Sequence, residues 1–156
     1  LLDKQDEARK LEREIVSTMR AIETPGNPPR VLLTFGAFET YSAGAGTYAD
    51  ALIREAGGIN IAADARSAWP QLSLEGIVTE NPQLLIVSVE DAGGIRKADT
   101  AMLARYRADP VWSQCEAVRT GEVWVMDSSL LNVPGPRVAR ALEEIATAVA
   151  SAASGI

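Results

Sequence analysis

Histidine is absent from the 156 residues and cysteine occurs once, at Cys115. That excludes a Ser-His-Asp triad, a Cys-His pair, an internal disulfide and a histidine-based zinc or manganese site. Cys115 reads as a small buried residue rather than a nucleophile. The remaining acids, among them Asp91, Asp99, Asp109 and Asp127, are scattered, and no spacing sets two carboxylates at the separation acid–base catalysis needs. One glycine pattern suggests chemistry of another kind. Gly44-Ala45-Gly46-Thr47-Tyr48-Ala49 fits a dinucleotide fingerprint, with Asp64 near the distance expected of a ribose-binding acid. It stands about eight residues beyond the end of the preceding strand at Gly36, whereas a nucleotide-binding turn follows its strand at once. The competing reading is that Gly44 and Gly46 let a loop turn tightly beside a cleft.

Three further places carry residues that the scaffold does not require. Trp69 precedes a helix cap, in a loop, as either a core plug or an exposed contact ring. Glu75 falls in the first turn of that helix, where the dipole favours a carboxylate. In Leu130-Leu131-Asn132-Val133-Pro134-Gly135-Pro136-Arg137, prolines and glycine stiffen the approach to the last helix. Arg137 is expected in that helix's first turn, against the unfavourable end of the dipole, so it needs another partner: a carboxylate of the fold or an anionic ligand group.

The elements that position these residues follow from periodicity and caps. Leu1–Glu23 reads as a charged amphipathic helix with a stripe of Leu11, Ile15, Met19 and Ile22, and Thr24–Arg30 as a rigid turn with three prolines. Val31–Phe35 is expected as a buried strand. A loop over Ala37–Gly46 follows, then a helix from Tyr48 to Ala56 capped by Thr47 and stopped at Gly57-Gly58. Ser73 caps a short helix that Pro82 ends, and Leu84–Val89 is a strand. Helix Ala98–Arg107, a short helical piece after Asp109-Pro110, strand Glu122–Met126, an irregular loop Ser128–Pro136 and a helix from Arg137 to about Ala153 complete the chain. Strands alternating with helices predict an α/β fold, a three-layer sandwich with a mostly parallel central sheet. Its ligand crevice would lie past the carboxyl ends of the strands, at loops Ala37–Gly46, Val89–Lys97 and Asp127–Pro136, joined by the Trp69 loop if the chain folds back.

The hydrophobic fraction of 47% and charged fraction of 23% are those of an ordinary globular domain, and no apolar run approaches a membrane span. A net charge of −6 argues against a nucleic-acid partner and permits docking on a basic protein surface.

Six stretches occur in an order that resembles one family. They are Tyr41-Ser42-Ala43-Gly44 with Gly46-Thr47; Ala56-Gly57-Gly58-Ile59-Asn60; Trp69-Pro70-Gln71-Leu72-Ser73-Leu74-Glu75; Asn81-Pro82; Ala117-Val118-Arg119-Thr120-Gly121-Glu122-Val123; and Pro134-Gly135-Pro136-Arg137. Together they resemble the C-terminal lobe of the periplasmic substrate-binding proteins of ABC importers for ferric siderophores, haem and cobalamin. The resemblance implies a non-enzymatic protein with no catalytic residue, no protein-bound metal and no resident cofactor, whose cargo is a metal chelate: siderophore, cobalamin or haem. It implies that residues 1–23 are an interlobe helix, 24–30 a linker and 31–156 the ligand-binding lobe. The N-terminal lobe and signal sequence would lie outside this fragment, which opens in mid-helix. Tyr41 and Trp69 match aromatic positions that contact ligand, the Leu130–Val133 loop, with Leu130 and Asn132 as its site residues, matches another cleft wall, and Arg137 matches a recurrent arginine. Glu75 matches the glutamate that docks on arginines of the membrane permease. The sequence WPQLSLE leans slightly towards cobalamin or a siderophore. A lobe cut from its partner would also expose apolar surface and could self-associate.

Overall fold

The structure, a computed structural model, describes residues 2–22, 24–132 and 136–154. Its first element is α1 (Leu2–Ala21), and its first strand β1 (Arg30–Thr34). There follow α2 (Tyr48–Glu55), β2 (Ile59–Asn60), α3 (Leu74–Glu80) and β3 (Leu84–Val89). β4 (Ile95–Lys97), α4 (Thr100–Ala108), α5 (Glu116–Thr120), β5 (Val123–Asp127), α6 (Ser129–Asn132) and α7 (Val138–Ser154) complete the order.

The five strands form one sheet in the order β2-β1-β3-β5-β4. All neighbours are parallel except β4, which runs antiparallel to β5 at the edge. Side chains alternate across each strand, so the two faces divide the core. Val31, Leu33, Leu84, Ile86, Trp124 and Met126 pack with Leu52 and Ile53 of α2 and with Leu142, Ile145 and Val149 of α7. Leu32, Leu85, Val87 and Val123 pack on the other side with Ile77 of α3, Tyr106 of α4, Trp112 and Val118. The result is the expected three-layer α/β sandwich.

Local chemistry explains the element ends. Thr47 and Ser73 accept the amide hydrogens of Asp50 and Gly76 as N-caps of α2 and α3. Asp99 caps α4 in the same way. Asn81, ahead of Pro82, leaves α3 at φ 48°, and its side chain accepts from the Glu116 amide.

Four expectations need correction. In α1, Thr18 is the buried residue among those described and Met19 is 38% exposed, because the face turned to the lobe runs through Leu11, Ile15, Thr18 and on to Ile22. Phe35 is not a buried strand residue: β1 ends at Thr34, Gly36 turns the chain at φ 126°, and Phe35 is left 37% exposed. The last residues of the expected Val89–Lys97 loop are strand β4. The expected Ser128–Pro136 loop contains the helical turn α6; Val133, Pro134 and Gly135 lie outside the described residues, as do Leu1 and Glu23 of the expected first helix.

Candidate ligand cleft

At the carboxyl ends of β1 and β2 the chain makes two loops that pair with each other. Tyr41 bridges Gln71 in antiparallel fashion. The Ser42 amide donates to the Pro70 carbonyl at 2.9 Å, Gly44 to Ala68 at 2.8 Å, and Leu72 to Thr40 at 3.0 Å. The loop of Trp69 therefore does fold back, and it is laced to the loop of Tyr41. This lacing is what Gly44 serves. A Cβ there would collide with the Ser67 carbonyl oxygen, so only glycine lets the two backbones approach.

The paired loops hold their rings outward. Trp69 is 60% exposed and Tyr41 49%. Trp69 leans on Phe35, with ring centroids 5.8 Å apart and planes at 57°. Phe35, Tyr41, Trp69 and Leu131, with Ser42 and Ala49 beneath, line an open cavity of about 350 Å³. Three aromatic rings around an apolar floor form the kind of surface on which a flat or bulky organic ligand can lie. A larger groove of about 510 Å³ runs along α1, but its lining comes from that one helix and is dominated by the charged Arg9, Glu12, Arg13 and Arg20, a poor match for an apolar ligand site.

Farther along the same carboxyl edge of the sheet a second, polar wall is organised by one carboxylate. Asp127, at the end of β5, accepts from the amides of Ser129 at 2.9 Å and Gly93 at 2.8 Å. The Ser129 side chain, these two amides and the nearby Arg137 guanidinium hold its carboxyl down at about 2, against an ordinary 3.8. Arg137 donates from Nη1 to the Ser129 hydroxyl at 3.2 Å. It stands just before α7, not in its first turn, with its carbonyl accepting from Ala141 at 2.9 Å. Asp127 thus supplies a carboxylate near Arg137, through Ser129 rather than by a direct ion pair among the described residues.

The expected site residues separate as follows. Tyr41 and Trp69 share the cavity. Leu130 is 4% exposed and belongs to the core, because α6 turns it inward and presents its neighbour Leu131 to the cavity. Arg137 is exposed on the polar side. The side chain of Asn132 lies outside the described residues. Glu75 is exposed in the first turn of α3, four residues along the chain from the Gln71 bridge. Phe35 was missed, and Leu131 was covered by the expected wall of residues 130–133 without being singled out. The signal for Phe35 was the glycine directly after it, which ends a strand where its side chain meets the crevice.

The nucleotide reading of Gly44–Ala49 loses its seat. The N-terminus of α2 is filled by its own Asp50, which is 2% exposed. Its carboxylate accepts from Asn60 Nδ2 at 2.9 Å, Arg54 Nε at 3.2 Å and, weakly, the Gly46 amide at 3.4 Å. A phosphate would meet that negative charge instead of free amides. Cys115 is buried, and burial pushes its thiol upward, away from the reactive thiolate. Among the described residues no group of three or more acids or cysteines is placed to hold a metal ion, and no helix is long and apolar enough to cross a membrane.

Comparison with known proteins extends these observations. Residues 1–130 match the Periplasmic binding protein family. The chain is 33% identical over 128 residues to a cobalamin-binding protein of Halobacterium salinarum, an alignment covering 81% of this chain and 33% of that protein. Among solved structures it is similar to the periplasmic heme-binding protein RhuT from Roseiflexus sp. RS-1 in apo form, at 29% identity and a TM-score of 0.77, covering 96% of this chain and 56% of that one. It is also similar to the periplasmic heme-binding protein BhuT in complex with two hemes, at 26% identity and a TM-score of 0.76, covering 94% and 55%. The chain spans about a third of the length of that curated relative and about half of the solved chains. With a family match running through α1, the paired cleft loops and all five strands of the sheet, the chain belongs to the periplasmic binding protein family.

Proposed function

We propose that the chain is the C-terminal lobe of the extracytoplasmic substrate-binding component of an ABC importer. It captures a metal chelate (cobalamin, haem or a ferric siderophore) and delivers it to the membrane permease without making or breaking a bond. The observation that carries this reading is the cavity of about 350 Å³ between Trp69, Tyr41, Phe35 and Leu131. Exposed rings held by laced backbone offer broad contact at little ordering cost, which suits a large planar cargo. The cobalamin-binding relative and the haem-binding neighbours support the class of cargo.

In this reading Tyr41 and Trp69 contact the ligand, Arg137 faces its polar rim, and Asn132 keeps the ligand-binding part expected from the sequence. Leu131 takes the part first expected of Leu130. Residues 1–23 are the interlobe helix, 24–30 the linker and 31–156 the ligand lobe. A second lobe closes the other side of the cleft, and Glu75 docks on basic residues of the permease. The rigidity of α3, capped by Ser73 and stopped at Asn81, suits an exposed carboxylate that must meet a partner in one orientation.

Titration with cyanocobalamin, haemin and a ferric hydroxamate, followed by tryptophan fluorescence, tests the proposal on this chain and on a longer one carrying both lobes. Saturable quenching by one chelate, tighter in the two-lobe chain and lost in Trp69→Ala, is expected. Equal and tight binding by the single lobe would contradict the two-lobe account, and no binding of any chelate by the two-lobe chain would end it.

A further inference from the structure

Gly36–Thr40 leaves the sheet edge between Phe35 and Tyr41 and returns, the Phe35 amide donating to the Tyr41 carbonyl at 3.2 Å. Both feet of this excursion line the cavity; its tip does not. At the tip, Phe38 has φ 62°, a left-handed backbone that a bulky side chain adopts only when its surroundings compensate. The compensation comes from α4, on the face of the sheet opposite α2 and α7. The Phe38 amide donates to the Tyr106 hydroxyl at 2.9 Å. The Phe38 ring stacks on Tyr106, centroids 4.1 Å apart and planes at 16°, while the Arg105 guanidinium lies 4.9 Å from its centroid. Tyr106 has no exposed surface and meets the Trp112 ring edge-on at 5.4 Å.

We infer that the Phe38–Tyr106 clamp positions the cavity's aromatic wall, making Tyr106 a positioning residue for ligand binding although it does not reach the cavity. A phenylalanine would fill the same core volume. The hydroxyl instead satisfies the amide of the one strained residue between the two feet. Fixing the tip fixes Phe35 and Tyr41, and through the Phe35–Trp69 contact it fixes Trp69. The affinity consequence rests on the ligand-binding reading above; the positional one does not.

Two measurements separate them. The chain is labelled with 5-fluorotryptophan, and the fluorine signals of Trp69, Trp112 and Trp124 are assigned by single Trp→Phe changes. Tyr106→Phe removes the hydroxyl and keeps the ring. Phe38→Asn removes the ring and keeps a residue that tolerates positive φ. Both should shift or broaden the Trp69 signal and leave that of Trp124 in place. A Trp69 signal unmoved in both variants overturns the clamp, whatever their melting temperatures. Cyanocobalamin and haemin are then titrated into the two-lobe chain. Tyr106→Phe should weaken the probe that binds by roughly tenfold, the equivalent of one net hydrogen bond. Unchanged affinity beside a shifted Trp69 signal overturns the affinity half. Failure of the unsubstituted chain to bind either probe counts against these two cargoes, while the fluorine spectra still decide the clamp.

Discussion

Two stretches of the sheet's carboxyl edge, one aromatic and one polar, are held by different means. The aromatic wall is laced by backbone: Ser42 to Pro70, Gly44 to Ala68 and Leu72 to Thr40, with the rings of Tyr41 and Trp69 free to face outward. The polar wall hangs on one side chain, the Asp127 carboxylate, which gathers Gly93, Ser129 and, through Ser129, Arg137. A wall made by backbone can change its side chains without losing its shape. A wall made by one carboxylate depends on that group and on its charge. Specificity can therefore drift in the rings while the frame persists.

The largest break in this contrast is Gly44→Val. Its Cβ would strike the Ser67 carbonyl and separate the two loops, costing about 1–3 kcal/mol or more. Chemical denaturation should show the loss, with chelate binding lost alongside it. Trp69→Ala comes next and should divide binding from folding. Affinity should fall at least tenfold, about 1.4 kcal/mol, while the exposed ring's removal should change stability by no more than ~0.5 kcal/mol. A large drop in stability would mean that the ring, not the backbone, holds the wall.

The polar wall should respond to acid. Asp127 titrates at about 2 in the folded chain against an ordinary 3.8, so its contribution to stability is present above about pH 4 and is lost as pH falls through about 2. Asp127→Asn should flatten that part of the acid-unfolding curve and loosen Ser129 and Gly93 in amide exchange. An unchanged acid limb would remove the carboxylate from its organising place. Glu75→Ala should have the smallest effect on ligand, within roughly twofold or ~0.4 kcal/mol. It should weaken association of the loaded two-lobe protein with permease in proteoliposomes. A large affinity loss would move Glu75 from the docking surface into the cleft.

Much of the frame was legible because its signals are local. Leu84–Val89 was read to the residue, since Pro82 precedes an apolar run, interrupted only by Ser88, that fits a strand buried on both faces. Ser73 was read as a cap because a hydroxyl before a helical stripe has few other reasons to stand there. β4 was missed because Ile95-Arg96-Lys97 is short, charged and at an edge; only its pairing with β5 makes it a strand. Leu130 and Leu131 are neighbours of one type, and nothing local says which of them turns inward.

The residue pattern by itself determined the alternation of strands and helices, the caps that bound them and the exclusion of histidine- and disulfide-based chemistry, because each depends on side-chain type and short-range spacing. Tertiary structure alone decided that the Tyr41 and Trp69 loops pair, that Phe35 faces the cleft, that Asp50 fills the start of α2, and that Phe38 is clamped to Tyr106. These contacts join residues separated by as many as 68 positions. Their geometry exists only once the sheet has set the spacing between its strands and the helices on both faces have fixed which side chains can meet.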